Sequence, residues 1–201
     1  MRQRGYEDTG RIVLLDPVSD TATGSMEKMA AHVQGRYHAA ISVLLVDPHG
    51  RHILQKRAAT KYHAAGLWSN ACCSHPLPGE MGQAAAVRRL RDELGVDCTP
   101  RRFGTVRYRA EIPAASQFGG RLIEHERVEL FCAVYADKMR PNGREVSAVK
   151  SAFINQSDVE TGDFTPWFKL YFGLFGQNIR SFLSKPFVTD FGYHDLIEIA
   201  Q

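Results

Sequence analysis

An α+β or α/β layer fold is what this chain of 201 residues predicts, and three features of the sequence predict it. A strand, turn and strand signature spans Ile41 to Lys56, an amphipathic helical pattern runs from Glu80 to Leu94, and a more apolar helical pattern opens at Trp167. Strands interrupted by helices pack in layers because each element has an apolar side to hide. In chain order, the polar and unpatterned residues 1–10 read as a leader before a first strand at Ile12 to Leu15. Ile41 to Val46 enters Asp47-Pro48-His49-Gly50, where proline presets φ and glycine accepts a positive one, and His52 to Lys56 returns as the second arm of a hairpin. Ala84, Val87, Leu90 and Leu94 recur at helical spacing, Gly95 stops the helix, and Arg88, Arg89, Asp92 and Glu93 occupy its other face. Further strands are expected at Phe103 to Tyr108, Arg127 to Tyr135 and Val149 to Ile154. Trp167, Leu170, Tyr171, Leu174, Phe175, Ile179, Phe182 and Leu183 then predict one long helix covering the sheet. No repeat, low-complexity tract or linker divides the chain, so a single domain over residues 1–201 is expected, its core at 11–184 and an unassigned extension at 186–201.

Composition narrows the function classes. With 44% hydrophobic and 23% charged residues the chain has the balance of a soluble globular protein, and a net charge of +3 gives no broad cationic field for nucleic acid. The longest apolar run, Ala39 to Val46, falls far short of the ~20 residues that span a bilayer. Cysteines 72, 73, 98 and 132 form no C-x-x-C pair and no signal-type apolar region opens the chain, so free thiols in a reducing cytoplasm are expected. A monomer is expected, with a dimer as the alternative.

The densest chemistry lies in W-S-N-A-C-C-S-H-P, residues 68–76, where adjacent Cys72 and Cys73 precede His75. A thiol is both nucleophile and proton carrier, and imidazole is the commonest metal ligand. His32 and His38 flank the short polar segment V-Q-G-R-Y, and Glu124 and Glu126 stand two apart in a strand, which puts both carboxylates on one face. Three imidazoles and two carboxylates without thiolate suit octahedral Mn²⁺, Mg²⁺, Zn²⁺ or Fe²⁺. Lys28, Arg57, Lys61 and Arg89 form a basic set, Arg57 and Lys61 sharing a face if their loop begins a helical turn. Scattered cations are usually solvated surface, but a diphosphate, with about three negative charges, needs several such donors and a divalent metal, which Glu93 could hold. Cys72, Cys98 and Cys132 read as small buried hydrophobes. His49, His52, His63, His125 and His194 receive no role, with His125 pointing away from its flanking glutamates.

Ser74, Glu80, Arg88, Arg89, Asp92, Glu93 and Gly95 lie at the positions of the Nudix box, G-x5-E-x7-R-E-U-x-E-E-x-G-U, with Ser74, Arg89 and Asp92 departing from it. Together with G-S-M-E-K-M-A-A-H at 24–32, R-A-A-T-K at 57–61, R-Y-R-A at 107–110, E-H-E at 124–126 and F-T-P-W at 164–167, the chain resembles the type I isopentenyl-diphosphate isomerases of the Nudix superfamily. The likeness covers about Gly24 to Trp167, and Ser74 stands where the family's N-S-x-C-G-H-P core has glycine.

The resemblance implies a Nudix fold, a mixed sheet between helices in α/β/α layers, and isomerisation of isopentenyl to dimethylallyl diphosphate in isoprenoid biosynthesis. It implies that Cys73 and Glu126 act on opposite faces of the alkene, with Tyr108 beside the carboxylate and Trp167 over the developing cation. It implies one divalent ion, Mn²⁺, Zn²⁺ or Mg²⁺, on His32, His38, His75, Glu124 and Glu126, and Mg²⁺ bridging Glu93 to a diphosphate held by Lys28, Arg57, Lys61 and Arg89. The alternatives are a Nudix hydrolase of a nucleoside or prenyl diphosphate and a silent metal-binding scaffold.

Overall fold

The structure, a computed structural model, describes residues 10–114, 120–176, 179 and 193–199. Within them the chain order is β1 (Arg11–Leu15), β2 (Ala22–Glu27), α1 (Lys28–Val33), β3 (His38–Val46), β4 (His52–Arg57), β5 (Trp68–Ser69) and β6 (Cys72–Ser74). Then follow α2 (Gly82–Leu94), β7 (Arg101–Pro113), β8 (Arg121–Val134), β9 (Val146–Ala152), α3 (Gln156–Thr161), α4 (Pro166–Phe175) and β10 (Tyr193–Ile199). The strands form one mixed sheet with the path β10-β7-β8-β3-β1-β2. β3 is its centre. One edge pairs in parallel with β8 over its whole length, while the other is shared in succession by β1 at His38, β6 at Ile41 to Val43 and β4 at Leu45 and Val46.

Period-two alternation sends the residues of β3 into two apolar layers. Ile41, Val43 and Leu45 pack under α2 against Ala85, Ala86, Leu90 and Leu94. Ala40, Leu44 and Val46 face the other way and join Val128, Leu130 and Cys132 beneath the aromatic face of α4. The sheet therefore lies between helices, as the family resemblance implies. The buried stripe of α2 uses Ala85 and Ala86, with Ala84 exposed and Val87 only half-buried, because two small side chains let the helix sit close on β3.

Several boundaries differ from the sequence expectation. α2 begins at Gly82 and not at Glu80, because the Glu80 carboxylate accepts from Leu77 N in the preceding turn and is held by Arg88. The last sheet-forming segment before α3 is Val146–Ala152 and not Val149–Ile154, its register set by β4, which begins at His52 opposite Ala152. Arg57 ends β4 and Lys61 closes a turn onto Ala58 O, so the pair shares no helical turn. Part of the unassigned extension is a strand, β10, parallel to β7. α4 is described to Phe175, with Thr165 as N-cap and proline at its first turn; its expected continuation through Phe182 and Leu183 lies outside the described residues.

Helix α2 is closed by Gly95 in the left-handed region at φ 63°. A Cβ there would stand 3.0 Å from the Arg140 carbonyl oxygen and 2.9 Å from its Cβ. Gly95→Ala should therefore lose about 1–2 kcal/mol of stability in urea unfolding, and an unchanged midpoint would contradict this account of the helix end.

Candidate active site

Along β8 one face of the sheet changes character: Cys132, Leu130 and Val128 are core, and the next two residues of that face, Glu126 and Glu124, are carboxylates buried at 6% and 3% exposure. Strand register supplies their neighbours. His38 of β3 lies opposite Glu126 on one side and Tyr108 of β7 opposite it on the other, so three chemically active side chains form a row across the sheet.

Helix α1 and its exit turn deliver the rest. Glu27 caps the helix by accepting from Met29 N and Ala30 N, His32 occupies its last turn, and Gly35 at φ 62° turns the chain into β3. The Nδ1 atoms of His32 and His38 each lie 2.7 Å from a main-chain carbonyl oxygen, of Lys28 and Arg36 respectively. A carbonyl only accepts, so Nδ1 carries a proton and Nε2 is the atom at which each ring, once neutral, offers a lone pair. His75 comes from the loop after β6, which the two-pronged pair of Arg88 with Glu80 holds in place, and its Nε2 lies 3.1 Å from Glu126 Oε1.

One ligand atom from each of His32, His38, His75, Glu124 and Glu126 lies within 4.8 Å of all the others. These residues fit a divalent cation on a structural ground as well as by type. The Nε2 atoms of His32 and His38 are buried without a hydrogen-bond partner, although carboxylate oxygens approach to 3.3 and 3.4 Å. Two unpartnered nitrogens aimed at two carboxylates are what a metal would satisfy.

The charges respond to this confinement. Burial opposes the charged form of Glu124, but the surrounding imidazoles of His32 and His63 outweigh it and hold the carboxyl well below the usual range. Glu126 is also lowered, the imidazoles of His38 and His75 beside it overcoming burial and repulsion from Glu124. Burial lowers His75 to about 4. For His32 burial works downward too, yet Glu124 raises it to about 9.

The carboxylates open onto a cavity that Cys73, Glu126, Tyr108 and Trp167 all line. Tyr108 donates to Glu126 Oε2 at 2.8 Å. Cys73 is half-buried on β6, paired with Ser42 of β3, and burial pushes its thiol up to about 12. Asn70 Nδ2 is consumed by Ser42 Oγ and the Val43 and Cys72 carbonyls at 2.8 Å, which leaves its Oδ1 to accept the thiol proton at 3.1 Å. Ser42 Oγ lies 3.0 Å from the same sulfur. Trp167 is held by donation from its Nε1 to Ser69 Oγ at 3.0 Å. The neighbouring Cys72 points to the opposite side of β6, into the α2 layer, where it donates to Glu93 at 3.5 Å.

All four cations of the basic set line this cavity, as does Glu93. Arg89 is paired with Glu93 at 2.9 Å and Lys61 with Glu145, while the Lys28 ammonium lies over the Tyr62 ring at 5.0 Å. Arg57 differs. It is 6% exposed, its Nε has no partner, its hydrogen bonds run to His63, and it makes no ion pair among the described residues.

The sequence reading thus gathers into one place, and it missed several participants. His63, given no role, is buried with its Nε2 against Glu124 Oε1, beside Tyr62 and Trp167. An isolated histidine in a turn carries no spacing signal. Ser42 was legible as the one hydroxyl within the apolar run Ala39 to Val46, and Asn70 as part of W-S-N-A-C-C-S-H-P. Glu145, the partner of Lys61, gave no sign in sequence. His125 points away from its flanking glutamates, with Nδ1 3.1 Å from Gly35 O.

Comparison with known proteins bears on the same residues. The NUDIX domain family model matches residues 36–169. An isopentenyl-diphosphate Delta-isomerase of Pectobacterium atrosepticum is 39% identical over 178 residues, covering 87% of this chain and 96% of that protein. An isopentenyl-diphosphate Delta-isomerase 2 of Aromatoleum aromaticum is 48% identical over 121 residues, 60% of each. Among solved structures, the MutT protein from Methanosarcina mazei Go1 superposes with a TM-score of 0.54 at 14% identity, covering 70% of this chain and 94% of that one, a likeness of fold alone.

A divalent ion in the cluster needs the Nε2 lone pair of His32, which holds a proton at pH 7.5 in the metal-free protein. Mn²⁺ binding at that pH should release about one proton per ion, read by titration calorimetry in two buffers of different protonation enthalpy; release of none would contradict the arrangement. The folded pKa of His32 lies above its unfolded 6.5, so its contribution to stability is complete below 6.5 and lost as pH rises through about 9. Metal-free protein should accordingly lose thermal stability across that window, with melting followed by circular dichroism.

Proposed function

The chain belongs to the isopentenyl-diphosphate Delta-isomerase family of NUDIX-domain proteins, and on that premise we propose that it interconverts isopentenyl and dimethylallyl diphosphate, with Cys73 and Glu126 exchanging protons across the double bond. The observation that carries this reading is one cavity lined by both a protonated thiol and an ionised carboxylate with a tyrosine hydroxyl on it.

The reaction adds a proton at carbon 4 and removes one from carbon 2. An unactivated alkene is a very weak base, and the tertiary cation-like centre between the two steps would be captured by bulk water. Donor, acceptor and dryness are therefore all required. Cys73 meets the first need because burial keeps its proton on sulfur near neutral pH. Ser42 and Asn70 sit on that sulfur as a hydroxyl and an amide oxygen, so the thiol can donate to Asn70, and the thiolate left after proton transfer can accept from Ser42. Glu126 with Tyr108 forms the opposing group. Because the isomerisation runs both ways, each group is donor in one direction and acceptor in the other.

Trp167 would face the developing positive charge, and an indole face within ~6 Å of a desolvated cation contributes about 2 kcal/mol, roughly thirtyfold in rate if gained only in the transition state. Arg57 supports the diphosphate assignment most directly. A buried guanidinium without a counter-ion is costly, and an anionic ligand relieves that cost. Lys61 and Arg89 would join it by exchanging their carboxylate partners for phosphate oxygens, and Lys28 would complete the grip. Glu93, freed of Arg89, is the residue that would hold a Mg²⁺ on the diphosphate. A divalent ion on the three histidines and two glutamates would supply charge that keeps Glu126 ionised and oriented. Remote binding of the charged tail keeps a small apolar alkene in register.

Incubation of isopentenyl diphosphate with purified protein and Mg²⁺ should give dimethylallyl diphosphate without phosphate release; phosphate without that product would mean hydrolysis. Cys73→Ala and Glu126→Gln should each cut kcat by about 10³-fold or more in folded protein, whereas Cys72→Ala should retain most activity. Arg57→Gln should raise KM by about tenfold or more through loss of a charge-assisted bond to phosphate.

A further inference from the structure

His63 stands beside the five-residue cluster without belonging to it, and its hydrogen bonding is wired in the opposite sense from that of His32 and His38. Those two rings each give the Nδ1 proton to a carbonyl and turn Nε2 toward the cluster, where it can be freed for a ligand. At His63 the neighbour of Nδ1 is Nη2 of Arg57, 3.4 Å away. A guanidinium offers only donors, so Nδ1 must accept, and the one proton of the neutral ring resides on Nε2. That Nε2–H meets Oε1 of Glu124, whose other oxygen, Oε2, lies 3.3 Å from His32 Nε2 on the side of the cluster. Were His63 a sixth ligand through Nε2, its Nδ1 would need the proton and would oppose an arginine N–H head on.

We propose that His63 is a positioning residue: it fixes Glu124 by donating from Nε2 to Oε1, which leaves Oε2 aimed at the metal position, and by its other nitrogen it links that carboxylate to Arg57. The ring is built into the wall for this task. It stacks on Tyr62 at 4.3 Å with planes 11° apart, lies 5.4 Å from the Trp167 ring, and its main chain bridges to Ala114 and accepts from Arg57 Nη2 at 3.1 Å. Arg57, His63 and Glu124 thereby form a relay from the diphosphate end of the cavity to the metal end. The inference rests on the reading that the five-residue cluster holds a divalent ion and that Arg57 meets the diphosphate.

The test is the affinity of the full-length, chelator-stripped protein for Co²⁺, measured by titration calorimetry together with the visible spectrum of the bound ion. His63→Phe keeps the stack on Tyr62 and removes the donor; it should bind Co²⁺ about 10–100-fold more weakly. His63→Gln restores an N–H at similar reach and should bind within about threefold of the parent with an unchanged spectrum, because no ligand is altered. His63→Leu carries the same expectation as the phenylalanine variant and serves if that one fails to fold. Parental affinity in the donor-less variants would overturn the proposal. So would a glutamine variant as weak as the phenylalanine one, or with an altered spectrum, since the imidazole itself would then be coordinating. A parent that binds no divalent ion would remove the metal-centre reading and this proposal together, whereas a parent that binds while the donor-less variants match it removes only the role of His63.

Discussion

Two carboxylates buried on successive same-face positions of one strand are the constraint around which this molecule is arranged. Glu124 and Glu126 repel each other, and burial opposes the charge on both, so either would take up a proton unless positive or donating groups surround it. The fold provides those groups from five separate segments, among them the loop between β4 and β5 that sets His63 against Glu124. α1 brings His32, the start of β3 brings His38, the loop after β6 brings His75, and β7 brings Tyr108. The parallel register of β3 on β8 matters most here, because a shift of one residue would turn His38 to the other side of the sheet and leave Glu126 short of a partner.

A second economy lies in β6. Consecutive residues of a strand face opposite ways, and the two adjacent cysteines are divided accordingly between the cavity and the α2 layer. Cys73 receives Ser42 and Asn70, and Cys72 receives Glu93. The doubled thiol is thus two side chains in different environments, one lining the cavity and one donating to the carboxylate that helix α2 contributes. The short strand can do this because β3 gives it only three residues of pairing before β4 takes over the same edge.

What the sequence disclosed follows the range of its signals. Period-two and helical spacing are local, and they located β3, β4, α2, the start of α4 and the shared face of Glu124 and Glu126. Order-specific motifs disclosed the longer-range set, since W-S-N-A-C-C-S-H-P, E-H-E and F-T-P-W converge on one cavity. The short elements left no local trace. β2 is six residues with a mostly exposed pattern, and β5 is two residues; both exist because a neighbouring strand offers an edge. His63 was hidden for a related reason, because its importance comes wholly from Arg57 and Glu124, six residues before it in one strand and 61 after it in another.

The departures from the Nudix box gain a physical meaning from where their side chains lie. In the box pattern three carboxylates of one helix face gather metal for the attack of water on a diphosphate. Here Arg89 stands at one of those positions and ties its guanidinium to Glu93, Asp92 is about half exposed, with 48% of its side chain open to solvent, and Glu93 is the one carboxylate of the three positions that lines the cavity, beside Arg89. The acidic centre has instead moved across the site to β8, where two glutamates meet three histidines. A helix that turns one carboxylate and the guanidinium groups of Arg88 and Arg89 toward the cavity is suited to holding a diphosphate intact, since it adds cations where hydrolysis would need a metal-bound water. The same cavity also carries a thiol and a carboxylate, Cys73 and Glu126, and the proposed proton exchange with a double bond would use that division of charge, cations for the diphosphate and a proton donor and acceptor for the apolar tail.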